Sequence, residues 1–137
     1  MTSSLVIEAF YDPTTFTYSY LLMDSGSLDA AVIDSVWDYD PKSGRTRTES
    51  AERLLERAQA LDANVRWHLE THVHADHLSA AQFLKHATGG LTAISSKVIS
   101  IQTVFGKIFN TEASLAADGS QFDRLLADGE SLPLGAF

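Results

Sequence analysis

Over the first quarter of the chain, apolar and polar positions come in short runs with the period of a strand. Leu5–Phe10, Phe16–Met23 and Ala30–Ile33 are rich in β-branched and aromatic residues, and the turn signals Asp12-Pro13 and Asp24-Ser25-Gly26-Ser27 separate them. They predict an antiparallel meander. The polar stretch Asp38–Arg47, with Pro41 and Gly44, reads as a connecting loop. From Thr48 to Leu61 the period changes to that of a helix. Ala51, Leu54, Leu55, Ala58 and Leu61 share one face, and Thr46 with Glu49 forms a capping-box pattern at the start. Val65–Glu70 returns to period two, with Val65, Trp67 and Leu69 on one side and Arg66, His68 and Glu70 on the other.

Further along, Leu78–Ala87 predicts a second helix closed by Gly89-Gly90, and Leu91–Ile94 a short strand. Lys97–Phe109 predicts a third helix, with Val98, Ile101, Phe105, Ile108 and Phe109 on its apolar face. Phe122–Leu126 suggests one more turn of helix, and Ala127–Leu134 a hairpin turn leading into a strand. The order of elements is that of a mixed α/β fold with one layer of helices over one sheet.

A chain of 137 residues suffices for one core, and its 45% apolar and 20% charged residues lie in the ordinary globular range. The formal charge of −8 argues against nucleic acid, whose affinity depends on clustered cations. Arg45, Arg47, Arg53, Arg57 and Arg66 are instead interleaved with Glu49, Glu52 and Glu56, as on a solvated helix face. Cysteine is absent, so any metal must be held by nitrogen and oxygen. No window nears the ~18 apolar residues of a membrane span, and the first residues carry no basic segment before an apolar one. A cytoplasmic protein with a small-molecule substrate is expected.

The chemistry is concentrated in Glu70-Thr71-His72-Val73-His74-Ala75-Asp76-His77. Three of the five histidines and a carboxylate stand within six residues, after a strand and before a helix. Residues two apart on a strand point the same way, so His72 and His74 face together, and the following turn brings Asp76 and His77 round to them. Imidazole and carboxylate suit zinc, iron and other first-row divalent ions and leave positions open for water, dioxygen or substrate. The alternative is that the histidines satisfy core hydrogen bonds and Asp76 caps the next helix. His68 and His86 lie outside the cluster and read as ordinary strand and helix residues.

Thr71–His77 matches the T-H-x-H-x-D-H signature, and by it the chain is identified as a member of the metallo-β-lactamase superfamily. Glu70–Ala81, Phe10–Leu21 and Val104–Asn110 resemble the bacterial persulfide dioxygenase group within it. The resemblance covers essentially the whole chain. It implies an αββα sandwich, here only its N-terminal half, a mixed sheet with helices on one face. It also implies a mononuclear Fe2+ centre oxidising glutathione persulfide to sulfite with dioxygen, in sulfide detoxification.

Under that resemblance His72 is a direct iron ligand and His72 and Asp76 are catalytic. His74, Asp76 and His77 are metal ligands in the dinuclear hydrolases and pocket residues in the dioxygenases. The alternatives are a glyoxalase II-like thioester hydrolase with Zn2+ and a catalytically silent half-domain. Family members are longer and supply a further histidine and an aspartate from their second half, whereas no histidine follows His86 here. Asp118, Asp123 and Asp128 do not match that aspartate. Residues 1–137 are therefore expected to form one metallo-β-lactamase-like domain lacking its C-terminal half, with an apolar sheet face that promotes homo-oligomers.

Overall fold

The computed structural model describes residues 2–137. Its first three strands, β1 (Leu5–Asp12), β2 (Thr17–Asp24) and β3 (Asp29–Ile33), form the expected meander, with Leu5 opposite Asp24 and Tyr20 opposite Ile33. The β1–β2 turn closes on Asp12, whose carboxylate accepts the Thr14 and Thr15 N–H groups, each at 3.2 Å, and the Thr15 hydroxyl at 2.6 Å. β3 is followed by the hairpin β4 (Val36–Asp40) and β5 (Arg45–Arg47) and by helix α1 (Glu49–Ala60). Next come β6 (Asn64–Leu69), the two-residue β7 (Leu78–Ser79) and helix α2 (Ala81–Thr88). β8 (Leu91–Ser95), helix α3 (Val98–Phe109) and β9 (Arg124–Leu126) complete the elements.

The main sheet has the order β1-β2-β3-β6-β8-β9, antiparallel as far as β3 and parallel beyond it. A small second sheet, β5-β4-β7, stands beside it. The mixed α/β class is as expected. On one sheet face Leu21, Met23, Ala30, Val32 and Val65 pack against Ala51, Leu54 and Ala58 of α1 and Leu84 of α2. A side chain buried as fully as Leu54 contributes about 1.5–3 kcal/mol. The opposite face gathers Ala31, Trp67 and Ala93 under Leu132 and Leu134 of the C-terminal tail. Toward β1 that face stays uncovered, leaving Leu5, Ile7, Tyr11 and Tyr18 exposed.

Five local expectations are corrected. Asp38–Arg47 is a hairpin rather than a loop: Asp40 binds the Lys42 N–H and Ser43 hydroxyl, and Gly44 takes the left-handed turn position at φ 69°. The capping box of Thr46 and Glu49 does not form. The helix starts after Thr48, and Asp38 on β4 accepts both the Ser50 N–H (2.8 Å) and its hydroxyl (2.6 Å), so a tertiary contact satisfies the free amide. Leu78 and Ser79 precede α2 as a strand paired with Trp37 and Val36. Phe122–Leu126 is no helical turn, because Asp123 accepts the Thr92 N–H and hydroxyl and draws Arg124–Leu126 onto the edge of β8. Nor does a strand begin at Leu132: the tail is held irregularly by the Trp67 indole N–H, donated to the Pro133 carbonyl at 3.1 Å, and the Ala136 N–H, donated to Asp24 at 2.8 Å.

No helix among the described residues is long and apolar enough to cross a membrane.

Candidate metal centre

β3 and β6 are parallel neighbours, so their carboxyl ends lie side by side. Asp34, just past β3, takes the left-handed conformation (φ 51°), which aspartate tolerates better than bulkier residues. Its N–H donates to the Leu69 carbonyl, and its own carbonyl accepts the Ser19 hydroxyl at 2.7 Å. Its carboxylate thereby faces the start of the loop leaving β6. There it accepts the Thr71 N–H on one oxygen (2.8 Å) and the Thr71 hydroxyl on the other (2.7 Å). Burial works against the charge on Asp34, but the bonds from His74 and Thr71 outweigh it and hold its carboxyl below the ordinary value.

The loop from Glu70 to His77 folds back over this anchor and brings all four sequence-predicted residues together. The His72 and His74 rings meet with centroids 4.3 Å apart, and His74 and His77 at 4.1 Å. Ligand atoms of Asp34, His72 and His74 form one group able to hold an ion, and those of His74, Asp76 and His77 a second, each spanning no more than 4.8 Å. His74 belongs to both.

Partner chemistry fixes which ring nitrogen each histidine has free. An ionised carboxylate only accepts, so the His74 Nε2, 2.6 Å from Glu70 and 3.1 Å from Asp34, carries the proton. Its Nδ1 is the nitrogen left over for a cation once the ring is neutral, and it is buried with no hydrogen-bond partner. In His77 the assignment is reversed: Nδ1 donates to Asp76 at 3.2 Å, and Nε2 is the buried atom without a partner. In His72 the Nδ1 lies 2.8 Å from the Thr71 hydroxyl oxygen, whose hydrogen is committed to Asp34, so Nδ1 donates and Nε2 is free. Two buried imidazole lone pairs left unpaired in one place are costly unless a cation accepts them, and the donor set fits a divalent ion.

The carboxylates complete the electrostatics. Burial opposes a charge on His74, but its bonds to Asp34 and Glu70 prevail and raise its pKa to about 9 in the metal-free site. Desolvation likewise resists the Asp76 charge, yet the Thr17 hydroxyl, donated at 2.9 Å, and His77 lower it to about 2. Asp76 is thus an anion at neutral pH.

Asp34, Glu70, Thr17 and Ser79 were not singled out from the sequence. Glu70 directly precedes the Thr71–His77 signature, one residue past the end of β6, which is a legible signal. Asp34 and Thr17 lie 37 and 59 residues from their partners, beyond the reach of any local pattern. His68 and His86 are outside the cluster, as expected. His68 is buried on β6 and donates from Nε2 to the Gly89 carbonyl at 2.9 Å, and His86 is exposed on α2.

Beside the imidazoles a cavity of about 590 Å³ opens between α2, the end of β8 and α3. Val73, Leu78, Ile94, Val98, Ile101 and Phe105 supply much of its apolar wall.

No protein-family model matches the chain. Among curated proteins it is 63% identical to a probable metallo-hydrolase of Burkholderia pseudomallei over 96% of its own length and 45% of the relative's. It is 36% identical to glyoxylase B2 of Dictyostelium discoideum (99% and 47%) and 25% identical to the mitochondrial persulfide dioxygenase ETHE1 of Homo sapiens (97% and 41%). The chain therefore spans less than half the length of these curated relatives. Among solved structures, ETHE1 from Myxococcus xanthus superposes with a TM-score of 0.54 at 28% identity, over 64% of this chain and 34% of that one. The BLEG-1 B3 metallo-β-lactamase superposes with a TM-score of 0.60 at 19% identity, over 96% and 58%, a likeness of fold alone.

Proposed function

Since the chain belongs to the metallo-β-lactamase superfamily, whose metallo-hydrolase members imply a metal cofactor, we propose that it forms the metal-bearing part of a persulfide dioxygenase-like enzyme. The substrate on this reading is the persulfide of a small thiol, glutathione persulfide first among them. Persulfide, dioxygen and one water give the thiol and sulfite. The observation that carries the reading is that His72, His74 and His77, with Asp76 in the same ligand cluster, line a largely apolar cavity. Dioxygen and a sulfane sulfur are both apolar and soft, and such a wall suits them. Likeness to persulfide dioxygenases in sequence and in structure supports the same reading.

His72 and His74 would hold the ion, Fe2+ in this reading, with Asp76 and His77 in the neighbouring group that shares His74; this departs from the resemblance, which leaves His74 among the pocket residues. The ion supplies Lewis acidity and open coordination positions for dioxygen and the sulfur. The chain's own residues do the rest. Thr17 keeps Asp76 oriented, Asp34 ties the loop to β3, and Val73, Ile94 and Phe105 offer the sulfur an apolar wall. The setting is taken as cytoplasmic and the working form as a homo-oligomer, the latter supported by the exposed Leu5, Ile7, Tyr11 and Tyr18.

A second reading, a dinuclear zinc hydrolase acting on thioesters, is favoured by the two ligand groups that share His74 and by the likeness to a probable metallo-hydrolase and a glyoxylase. The natural gene product carrying this chain, reconstituted anaerobically with Fe2+, is expected to consume oxygen and release sulfite when given glutathione persulfide. Retention of two zinc equivalents with thioester cleavage and no oxygen uptake would overturn the dioxygenase reading in favour of the hydrolase. Neither activity would leave the chain a silent metal binder.

A further inference from the structure

The His74 imidazole is gripped from behind by two carboxylates, and they are not equivalent. Asp34 already accepts two bonds from Thr71, one on each oxygen, and stands 3.1 Å from the His74 Nε2. Glu70 stands at 2.6 Å, so it is the principal acceptor of that N–H. Its other oxygen is taken by the Ser79 hydroxyl. Glu70 is buried, and Ser79 and His74 are its hydrogen-bond donors among the described residues. With both oxygens engaged and a ligand's N–H on one of them, Glu70 is poorly placed to take a proton from a substrate.

Ser79 does not stand alone. It pairs with Val36 across the small sheet, and its Oγ also receives the Ala81 N–H, the first amide of α2, at 3.1 Å. The Ala80 N–H that follows donates to the Ser35 carbonyl at 3.0 Å. The hydroxyl holding Glu70 is thus fixed by a strand on one side and a helix start on the other. Glu70 itself is fixed by its N–H, donated to the Ala93 carbonyl of β8 at 3.0 Å. The line of contact runs from β4 and α2 through Ser79 and Glu70 to the ring of His74, and ends at the Nδ1 lone pair.

We propose that Glu70, held by Ser79, is a positioning residue of the metal centre: it fixes the His74 tautomer and ring so that Nδ1, rather than Nε2, is presented to the ion. This rests on the metal site proposed above and adds to it a residue outside the histidine-aspartate motif. A carboxylate behind a ligating imidazole both orients the ring and strengthens it as a donor, and losing such a partner costs metal affinity roughly 10- to 100-fold.

The test is a Co2+ titration of the chain against a competing chelator, with the cobalt absorption bands and the imidazole 15N shifts followed together. Glu70→Ala is expected to weaken Co2+ binding by about 10- to 100-fold, to alter the cobalt bands, and to move the neutral form of metal-free His74 away from the Nε2–H tautomer. Glu70→Gln keeps an amide oxygen to accept the N–H and is expected to recover part of the loss. Ser79→Ala should lose less again, in the same direction.

A Glu70→Ala chain with native circular dichroism, unchanged affinity and an unchanged His74 tautomer would overturn the proposal. Should Glu70→Ala not fold, Ser79→Ala decides: a several-fold loss supports the clamp and none refutes it. Wild-type chain that takes up no Co2+ sinks the metal site itself, and a wild-type His74 whose neutral form carries its proton on Nδ1 sinks the clamp alone.

Discussion

His68 and His74 are six residues apart, both carry shielded side chains, and both donate from Nε2, yet the strand and the loop that follows it use them in opposite ways. On β6, His68 meets the Gly89 carbonyl and the Thr88 hydroxyl, neutral groups at the end of α2. Burial disfavours its charged form, nearby Lys85 adds to that, and its pKa falls. In the loop, His74 meets two carboxylates and its pKa rises. Burial acts in the same direction on both. The charge of the partner decides, and it separates a residue that locks a helix to a strand from one prepared to meet a cation.

Replacing the two residues should show the contrast most directly. His74→Ala removes a donor from both ligand groups and leaves Glu70 and Asp34 facing each other. Co2+ affinity is expected to fall by more than roughly 100-fold, beyond what groups behind a ligand contribute, as read by chelator competition. His68→Ala should instead cost about 3 kcal/mol of stability through the lost ring and the unsatisfied Gly89 carbonyl, measured by urea denaturation, with metal affinity within about threefold of wild type by the same comparison. If His68→Ala weakened the metal more than it weakened the fold, the division between the two regions would not stand.

A smaller effect probes the edge of the loop. Thr17→Val deletes the hydroxyl that reaches Asp76 across 2.9 Å. A hydrogen bond to a charged group is worth about 1.5–3 kcal/mol. Asp76 is half exposed and water replaces much of that, so a loss of about tenfold or less in metal affinity is expected.

The last comparison is in pH. In the metal-free chain His74 has a folded pKa of about 9 against an ordinary 6.5. Its contribution to stability is therefore complete below about pH 6.5 and lost as pH rises through 9. The melting temperature of wild type should exceed that of His74→Gln by more at pH 6 than at pH 9.5, and an equal gap at both would contradict the carboxylate clamp.

The legible part of this molecule is the part that depends on neighbours in the chain. Strands β1 and β2 and helix α1 follow their periods because each shields one face, β3 and β8 read as short apolar runs, and the imidazole cluster is written within six consecutive residues; β6 breaks its expected alternation at a bulge opposite Ala30 and Ala31, which turns Val65 and Trp67 to opposite faces, and α3 keeps a helical period although Ile101, Phe105, Ile108 and Phe109 stay exposed. What escaped notice is made by distant pairing. β7 and β9 are two and three residues long, too short to display a period, and exist because Val36 and Trp37 or Thr92 and Asp123 draw them in. The hairpin of β4 and β5 was hidden by polar residues that suit a half-exposed ribbon as well as a loop. The same holds for the centre: the ligand side chains could be read, but Asp34 and Thr17, which aim them, could not.

The tail beyond Leu132 has a consequence for the outer sheet face. It is irregular, yet Leu134 is buried over Trp67 and Ala93, and Gly135 lies so close to Asp24 that a side chain there would collide with the carboxylate. The middle of the face is shut by a peg and the β1 margin is open. Anything that approaches from that side meets a surface graded from sealed to bare, and must either fit around the peg or pull out a segment secured to the strands by one indole and one aspartate.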